Sequence, residues 1–371
     1  MKTLPDQHPM SATTARRLAA LRERMQQTGT NLVALSPGSH LEWLGARLHG
    51  EERPCFLFVT LERETFVMPV LNAGWFEHLG ISYHMWNDAE GPGSALKAAL
   101  AEVQAAKART IVLDEKMRTD FALLLLESLP QAKPRVAFDT LGVLRMQKDE
   151  EELAALKMSA QIADRTLRKA WDALRVGMTE LEVAAVIRES FLSEGADPKY
   201  WVVGTGANSA FPHSITGPRR VAEGDALLID IGARKDSYYS DITRMCVIGR
   251  PPEGYQEVHD TVEKAVQAAM EMVRPGVLAK QVDAVARAVI ERAGFGQYYP
   301  HRLGHGLGLD DHEPPYLSAE YPLAENMVFT IEPGIYIPGR FGVRLEELVV
   351  LRRNGPELMS SLPRTVKVIP A

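Results

Sequence analysis

The stretch Ala226-Leu-Leu-Ile-Asp230-Ile-Gly-Ala-Arg-Lys-Asp-Ser-Tyr-Tyr-Ser-Asp241-Ile-Thr-Arg-Met-Cys-Val-Ile248 sets two apolar runs around a polar middle, with a carboxylate at the inner end of each. As one continuous strand, the odd separation would turn Asp230 and Asp241 to opposite faces. The intervening Ala-Arg-Lys-Asp-Ser reads as a turn, which makes the region a hairpin centred near Lys235 and Asp236. The two aspartates then fall roughly opposite one another across the pair. Like charges so placed are destabilising, so the arrangement demands a positive partner.

The second half of the chain repeats this pattern. At Leu144-Arg-Met-Gln-Lys-Asp-Glu-Glu-Glu-Leu153 an acidic cluster precedes a long apolar-periodic stretch, which marks a helix start whose carboxylates complement the N-terminal dipole and stay solvated. Helices run to about Gly195 and lead to the hairpin. A second helix pair, near Gln256–Val273 and Val277–Gly294, is followed by Met327-Val-Phe-Thr-Ile331, then Glu332, with Glu346 opening the way into Leu348-Val-Val-Leu351. Pro338-Gly339 lies at the midpoint of the two glutamates. Asp230, Asp241, Glu332 and Glu346 thus hold corresponding places in two hairpins. Gathered in one apolar site they would be very costly without compensation, and two divalent cations would neutralise them.

Of ten histidines, His301, His305 and His312 crowd into Pro300-His-Arg-Leu-Gly-His-Gly-Leu-Gly-Leu-Asp-Asp-His-Glu-Pro-Pro315. Gly304, Gly306 and Gly308 let backbone come close to a ligand there. Upstream, Ser11 to Gln27 carries Leu18, Leu21 and Met25 at helical spacing. The runs Asn31–Leu35, Cys55–Val59, Thr65–Val70 and Thr110–Leu113, with an alanine-rich helix near Ser94–Ala106, describe a small α/β domain over roughly residues 10–135. The expected organisation is an N-terminal α/β domain at 1–140 and a catalytic domain at 145–371.

Composition narrows the function further. Apolar residues make up 46% and charged residues 24%, the balance of a soluble globular protein. The net charge of −6 and the scattered Arg-Arg pairs argue against nucleic-acid or anionic-membrane partners. No apolar run is long enough to span a bilayer, and Met1–Pro9 lacks the apolar core of a secretory signal. Cys55 and Cys246, far apart and without Cys-x-x-Cys spacing, support neither a disulfide framework nor a thiolate zinc site; a cytoplasmic location is expected.

The set Asp230…Asp241, Gly304-His305-Gly-Leu-Gly-Leu, Thr330-Ile-Glu332-Pro-Gly and Val343-Arg-Leu-Glu346 closely resembles the pita-bread metallopeptidases, which include methionine aminopeptidase, aminopeptidase P and prolidase. The resemblance covers the whole chain, because prolidases and aminopeptidase P also carry an N-terminal α/β domain. It implies a mixed α/β (α+β) chain with a pseudo-twofold pita-bread domain. Asp230 would chelate one metal, His305 and Glu332 the other, and Asp241 and Glu346 would bridge them. It also implies that Glu332 takes a proton from the attacking water. His213 and His312 would hold the substrate and the oxyanion, His301 would line the pocket, and Tyr336 and Arg344 would orient ligands. The oxygen-rich donor set suits Mn²⁺, with Co²⁺ or Zn²⁺ as alternatives, and the family suggests a homodimer.

The expected activity is hydrolysis of the bond preceding proline in a dipeptide or short peptide, as an Xaa-Pro dipeptidase. The alternatives are aminopeptidase P, acting on longer Xaa-Pro peptides, and a non-catalytic pita-bread binding protein. One departure stands out. Many prolidases have an arginine four residues after the last motif histidine to meet the substrate carboxylate, and here that position is Tyr316. Arg47, in Leu44-Gly-Ala-Arg-Leu-His-Gly, and Arg340 are the candidate replacements.

Overall fold

The computed structural model describes residues 10–48, 52–72 and 74–371. The segment Met1–Pro9, read above for a secretory signal, lies outside them. The chain divides into two compact units, Met1–Arg145 and Met146–Ala371.

In the first unit, α1 (Ala12–Thr28) starts where the Ser11 side chain accepts from the Thr14 amide and stops at Gly29, whose φ of 64° lets the chain leave the helix. It buries Leu18, Leu21 and Met25. Then follow β1 (Leu32–Leu35), α2 (Ser39–Trp43), β2 (Phe56–Val59), β3 (Glu64–Pro69), β4 (Ser82–Trp86), α3 (Gly93–Glu102), β5 (Thr110–Leu113), α4 (Thr119–Ser128), β6 (Lys133–Val136) and α5 (Leu141–Met146). Among the described residues the strands form one sheet in the order β4-β3-β2-β1-β5-β6. β2 runs antiparallel to both neighbours and the other pairs are parallel.

The second unit opens with α6 (Glu150–Ala173) and α7 (Glu180–Ser193), followed by β7 (Asp197–Thr205), β8 (Ala226–Lys235), β9 (Tyr238–Tyr239) and β10 (Ile242–Ile248). Next come α8 (Tyr255–Met272), α9 (Ala279–Arg292), β11 (Val328–Ile331), β12 (Gly334–Ile337), β13 (Phe341–Arg344), β14 (Glu347–Arg352), β15 (Gly355–Leu358) and β16 (Lys367–Ile369). The two helix pairs and two strand groups follow the repeat read from the sequence.

The structure moves the centre of the first hairpin by one residue. β8 continues through Lys235, and the turn is Asp236-Ser237, both at positive φ, the mirror-image turn that suits a two-residue hairpin. Asp230 therefore pairs with Thr243 rather than with Asp241. The aspartates are diagonal neighbours on one face of the sheet, which lengthens their separation and lowers their repulsion. The opposite face carries Leu227, Ile229, Ile231, Cys246 and Ile248 into a core shared with Ile162, Leu167, Ile187 and Phe191 of α6 and α7. Period-two alternation thus commits both carboxylates to the face away from these helices.

In the second hairpin, β12–β13 and β11–β14 keep one register, with Gly334 opposite Arg344 and Ile331 opposite Glu347. Glu332 and Glu346 fall in the break between the two ladders, directly opposite each other. The loop at its tip contains Gly339 at φ 74°.

The acidic helix start is more than a solvated end. Asp149 and Glu152 form a reciprocal capping box, while Glu152 is buried and accepts from the Tyr238 hydroxyl at 3.0 Å. Asp149→Ala should cost about 1 kcal/mol and lower the melting temperature by roughly 2–4 °C for a unit of this size. A thermal melt checks this, and an unchanged midpoint would remove the cap from the stability of α6.

Candidate active site

The two hairpins are joined through Thr243. Its hydroxyl donates to Glu346 Oε2 at 2.8 Å and accepts from Arg344 Nε at 3.0 Å, while a second nitrogen of Arg344 makes a short ion pair with Asp230 Oδ2. Asp230, Asp241 and Glu346 each point one oxygen to a common place, all within 4.8 Å of one another. On the other side of Asp241, His305 Nε2 lies 3.7 Å from Asp241 Oδ2 and 3.1 Å from Glu332 Oε1. Two donor clusters therefore share Asp241.

His305 reaches this place because residues 303–307 lie antiparallel to β11. The Thr330 amide donates to the His305 carbonyl at 2.8 Å and the Glu332 amide to that of Leu303 at 2.9 Å. Such close approach needs glycine on both sides. A Cβ at Gly304 would stand 2.1 Å from the Thr330 oxygen, and one at Gly306 2.4 Å from the Pro314 oxygen. His305 Nδ1 donates to the Gly306 carbonyl at 3.1 Å, which leaves Nε2 turned to the carboxylates.

The electrostatics are those of charge held away from water. Burial, reinforced by neighbouring carboxylates, raises the pKa values of Asp241 and Glu346 well above the usual range. Burial also raises Asp230 in spite of Arg344. Burial works against charge on His305, yet the Glu332 hydrogen bond and the charges of Glu332 and Asp241 push it up to about 8. Burial opposes ionised Glu332 as well, but His305 and Arg344 bring it down to about 2. Asp230 Oδ1 and Glu346 Oε1 are buried without any hydrogen-bond partner. Orphaned oxygens at the meeting point of several carboxylates are what a cation would satisfy, and an oxygen-rich set with one imidazole and no thiolate fits a hard to borderline divalent ion.

A cavity of about 400 Å³ opens beside this centre, lined by Pro212, His213, His301, Arg302, His305, His312, Ser318, Glu332 and Arg344. His312 packs against His305, ring centroids 3.9 Å apart and planes tilted by 53°, and burial together with the His305 charge brings its pKa down to about 4. His301 Nε2 meets the Tyr336 hydroxyl at 2.9 Å, and Arg344 donates to the same oxygen at 2.9 Å. Arg344 also donates to the Pro212 carbonyl at 3.0 Å, beside His213. The replacements considered for the missing arginine are placed differently. Arg340 sits in the loop between β12 and β13 and donates to the Glu253 carbonyl, and it is not among the residues lining the cavity. Arg47 belongs to the N-terminal unit, with Glu42 at 3.5 Å.

Several residues that support the centre carried no motif. Glu180, fully buried, accepts from Thr205 N, Asn208 Nδ2 and Gly217 N, and so holds the loop bearing His213. Lys148 and Glu313 form a buried ion pair at 2.6 Å next to His312. Arg244, also fully buried, bonds Glu347 at 2.9 Å and the carbonyl of Glu346. Tyr200 packs over Gly232, where a Cβ would not fit, and lies against Asp241. The one available signal was Arg244, a charge embedded in the apolar strand β10.

Residues 154–353 match the metallopeptidase family M24. The chain is 35% identical to a probable dipeptidase PepE of Mycobacterium bovis over 96% of both chains. It is 39% identical to an Xaa-Pro dipeptidase of Pyrococcus furiosus over 61% of this chain and 66% of that one. The crystal structure of a recombinant prolidase from Thermococcus sibiricus superposes with a TM-score of 0.90 at 31% identity, covering 96% of this chain and 100% of that one. The chain belongs to metallopeptidase family M24. Its mixed α/β architecture is that of the pita-bread enzymes, and it is a metallopeptidase whose family implies divalent metal. Among the described residues no helix is long and apolar enough to cross a membrane.

For this M24 chain the charged centre sets a pH dependence. Asp230, Asp241 and Glu346 have folded pKa values above their ordinary 3.8 and 4.5, so the metal-free fold holds protons that the unfolded chain releases. Their contribution is present below about pH 4 and is lost as pH rises. His305, raised to about 8, acts in the same direction above its ordinary 6.5. The metal-free protein should therefore melt at progressively lower temperature from pH 5 to pH 8. Saturating divalent metal should restore roughly 3 kcal/mol at a hundredfold excess over Kd. Melting curves with chelator and with added Mn²⁺ check both; curves independent of metal would remove the neutralising role.

Proposed function

We propose that the protein is a dinuclear-metal Xaa-Pro dipeptidase. The observation that carries this reading is the pair of donor clusters sharing Asp241, one built from Asp230 and Glu346 and the other from His305 and Glu332. Asp230 would hold one cation, His305 and Glu332 the second, and Asp241 and Glu346 would bridge them. A metal pair so held would acidify a water and polarise the scissile carbonyl. Manganese suits the donor set, with Co²⁺ or Zn²⁺ able to substitute.

The residues around the metals have separate tasks. Glu332 stays ionised throughout the working pH range, so it is ready to take the proton from the attacking water. His312, neutral at pH 7, offers an N–H to the oxygen that gains charge at the tetrahedral stage, and His213 faces the same cavity as the second donor. His301, tied to Tyr336, lines the pocket for the residue after the cut bond, while Arg344 fixes Asp230 and Thr243.

Proline explains the need for such a site. Its tertiary amide has no N–H and its ring fixes φ, so a protease that grips an extended backbone loses a contact. Activation of water at a carbonyl does not depend on that hydrogen. The homologues called dipeptidase and Xaa-Pro dipeptidase support the short substrate. Cytoplasmic location and a homodimer complete the reading.

A substrate-length series tests it. Xaa-Pro should be cleaved faster than Xaa-Pro-Xaa-Xaa, with metal content assayed in the same preparation; faster cleavage of the longer peptides would make the enzyme an aminopeptidase P. Glu346→Gln removes one bridging charge and should lower kcat by 10³-fold or more, on the order of 4 kcal/mol of barrier, while circular dichroism stays that of the parent. Near-normal turnover would contradict the bridging role.

A further inference from the structure

A dipeptide ends in a carboxylate close to the bond that is cut, and a site for dipeptides needs a cation at that distance. Tyr316 stands where many prolidases place an arginine, which leaves the task open. Of the two guanidinium groups that line the cavity, Arg344 is committed: it is buried and divides its donors among Asp230, Thr243, Tyr336 and the Pro212 carbonyl. Arg302 is the other. It is exposed, and among the described residues it enters no ion pair. Its guanidinium lies over the ring of Tyr316, with Cζ 4.7 Å from the centroid.

We propose that Arg302, resting over the Tyr316 ring, binds the C-terminal carboxylate of the dipeptide substrate, so that the tyrosine replaces the usual arginine by positioning another one. The inference rests on the dipeptidase reading above. Both ends of the device are fixed. The Arg302 carbonyl accepts from His301 Nδ1 at 2.7 Å, and the preceding His301 carbonyl accepts from Arg287 at 2.8 Å, so the main chain from which the guanidinium extends is anchored. Tyr316 is held at its amide by the Tyr321 hydroxyl, and the next residue, Leu317, donates to the Gly304 carbonyl at 3.1 Å. A guanidinium over an aromatic face is held by the ring's negative face and keeps N–H groups free for the fork that a carboxylate accepts. A surface arginine would lose several rotatable bonds of freedom on binding, whereas one already resting on a ring loses less. Position in the sequence supports the placement: Arg302 follows His301, which lines the pocket for the residue carrying that carboxylate.

The test compares Ala-Pro with Ala-Pro-amide, which share the scissile bond and differ only in terminal charge. The wild-type enzyme should prefer the acid by roughly 30-fold in kcat/KM, mainly through KM, as expected for a partly exposed bidentate contact. Arg302→Met should reduce that preference to about threefold or less, with the melting temperature unchanged because the side chain is exposed. Arg302→Lys, which keeps charge without the fork, should fall between. Tyr316→Ala should weaken the preference while Tyr316→Phe retains it, since either aromatic ring supports the guanidinium; equal loss in both would assign Tyr316 a different role. An acid preference that survives Arg302→Met overturns the proposal and leaves the dipeptidase reading standing. A wild-type enzyme that cleaves acid and amide equally, or neither, removes the dipeptidase reading and this inference with it.

Discussion

Everything in the second unit is arranged around the cost of holding Asp230, Asp241, Glu332 and Glu346 together away from water. An uncompensated buried carboxylate is among the most expensive features a fold can contain. The chain supplies part of the compensation itself. Arg344 pairs with Asp230, protonated His305 is favoured beside Glu332, and the Thr243 hydroxyl donates to Glu346. That internal supply is incomplete. Asp230 Oδ1 and Glu346 Oε1 remain buried without partners, and Asp241 and Glu346 are driven towards protonation. A fold with this remainder resembles half of an ion pair, and a divalent cation, as the family implies, would supply the other half.

The two hairpins solve a geometric problem that goes with the electrostatic one. A metal centre needs donors from several directions, yet a β-sheet presents side chains on only two faces. In the first hairpin the mirror-image turn at Asp236-Ser237 sets the register so that Asp230 and Asp241 share the face opposite the helices. In the second, a break in the ladder leaves Glu332 and Glu346 opposite each other, with their backbone free for other bonds. Those bonds are used: the Glu332 amide reaches Leu303, and the Glu346 carbonyl receives Arg244. Rigid neighbours on both sides fix carboxylates whose mutual repulsion would otherwise spread them.

Much of this was legible in the amino-acid sequence because charge in an apolar run is a strong local signal. The carboxylate at each strand end, the histidines among glycines and the helix pairs could all be read directly. The centre of the first hairpin lies one residue beyond where the apolar runs alone put it, since polar residues extend β8 to Lys235 and the positive φ of Asp236 and Ser237 has no marker as plain as Asn-Gly. β6 escaped notice because Lys133-Pro-Arg-Val has neither alternation nor burial. Glu152 looked like a solvated helix end, and only the arrival of Tyr238, far along the chain, makes it an interior residue. Partners from distant segments are what one-dimensional patterns cannot hold. The same limit explains Glu180, Lys148 with Glu313, and Arg244, whose roles exist only after folding.

Tyr316 shows how a motif position and the charge expected there can fall on different residues. Read by position, a tyrosine in place of arginine suggests that the substrate carboxylate has lost its partner, and attention moves to arginines elsewhere in the chain. In the folded unit the ring of Tyr316 carries the guanidinium of Arg302, so the motif position and the positive charge have been separated. A positional motif records which residue stands at a site, whereas a substrate meets only the charge and where it points. Two residues that together place a guanidinium at the cavity wall can satisfy the same electrostatic demand as one. The arrangement also adds a constraint absent from a single arginine: the orientation of the cation now depends on an aromatic face held by Tyr321 and, through Leu317, by the backbone of Gly304 beside His305. The ring under the guanidinium and the histidine that faces the carboxylates are thereby held by one stretch of backbone.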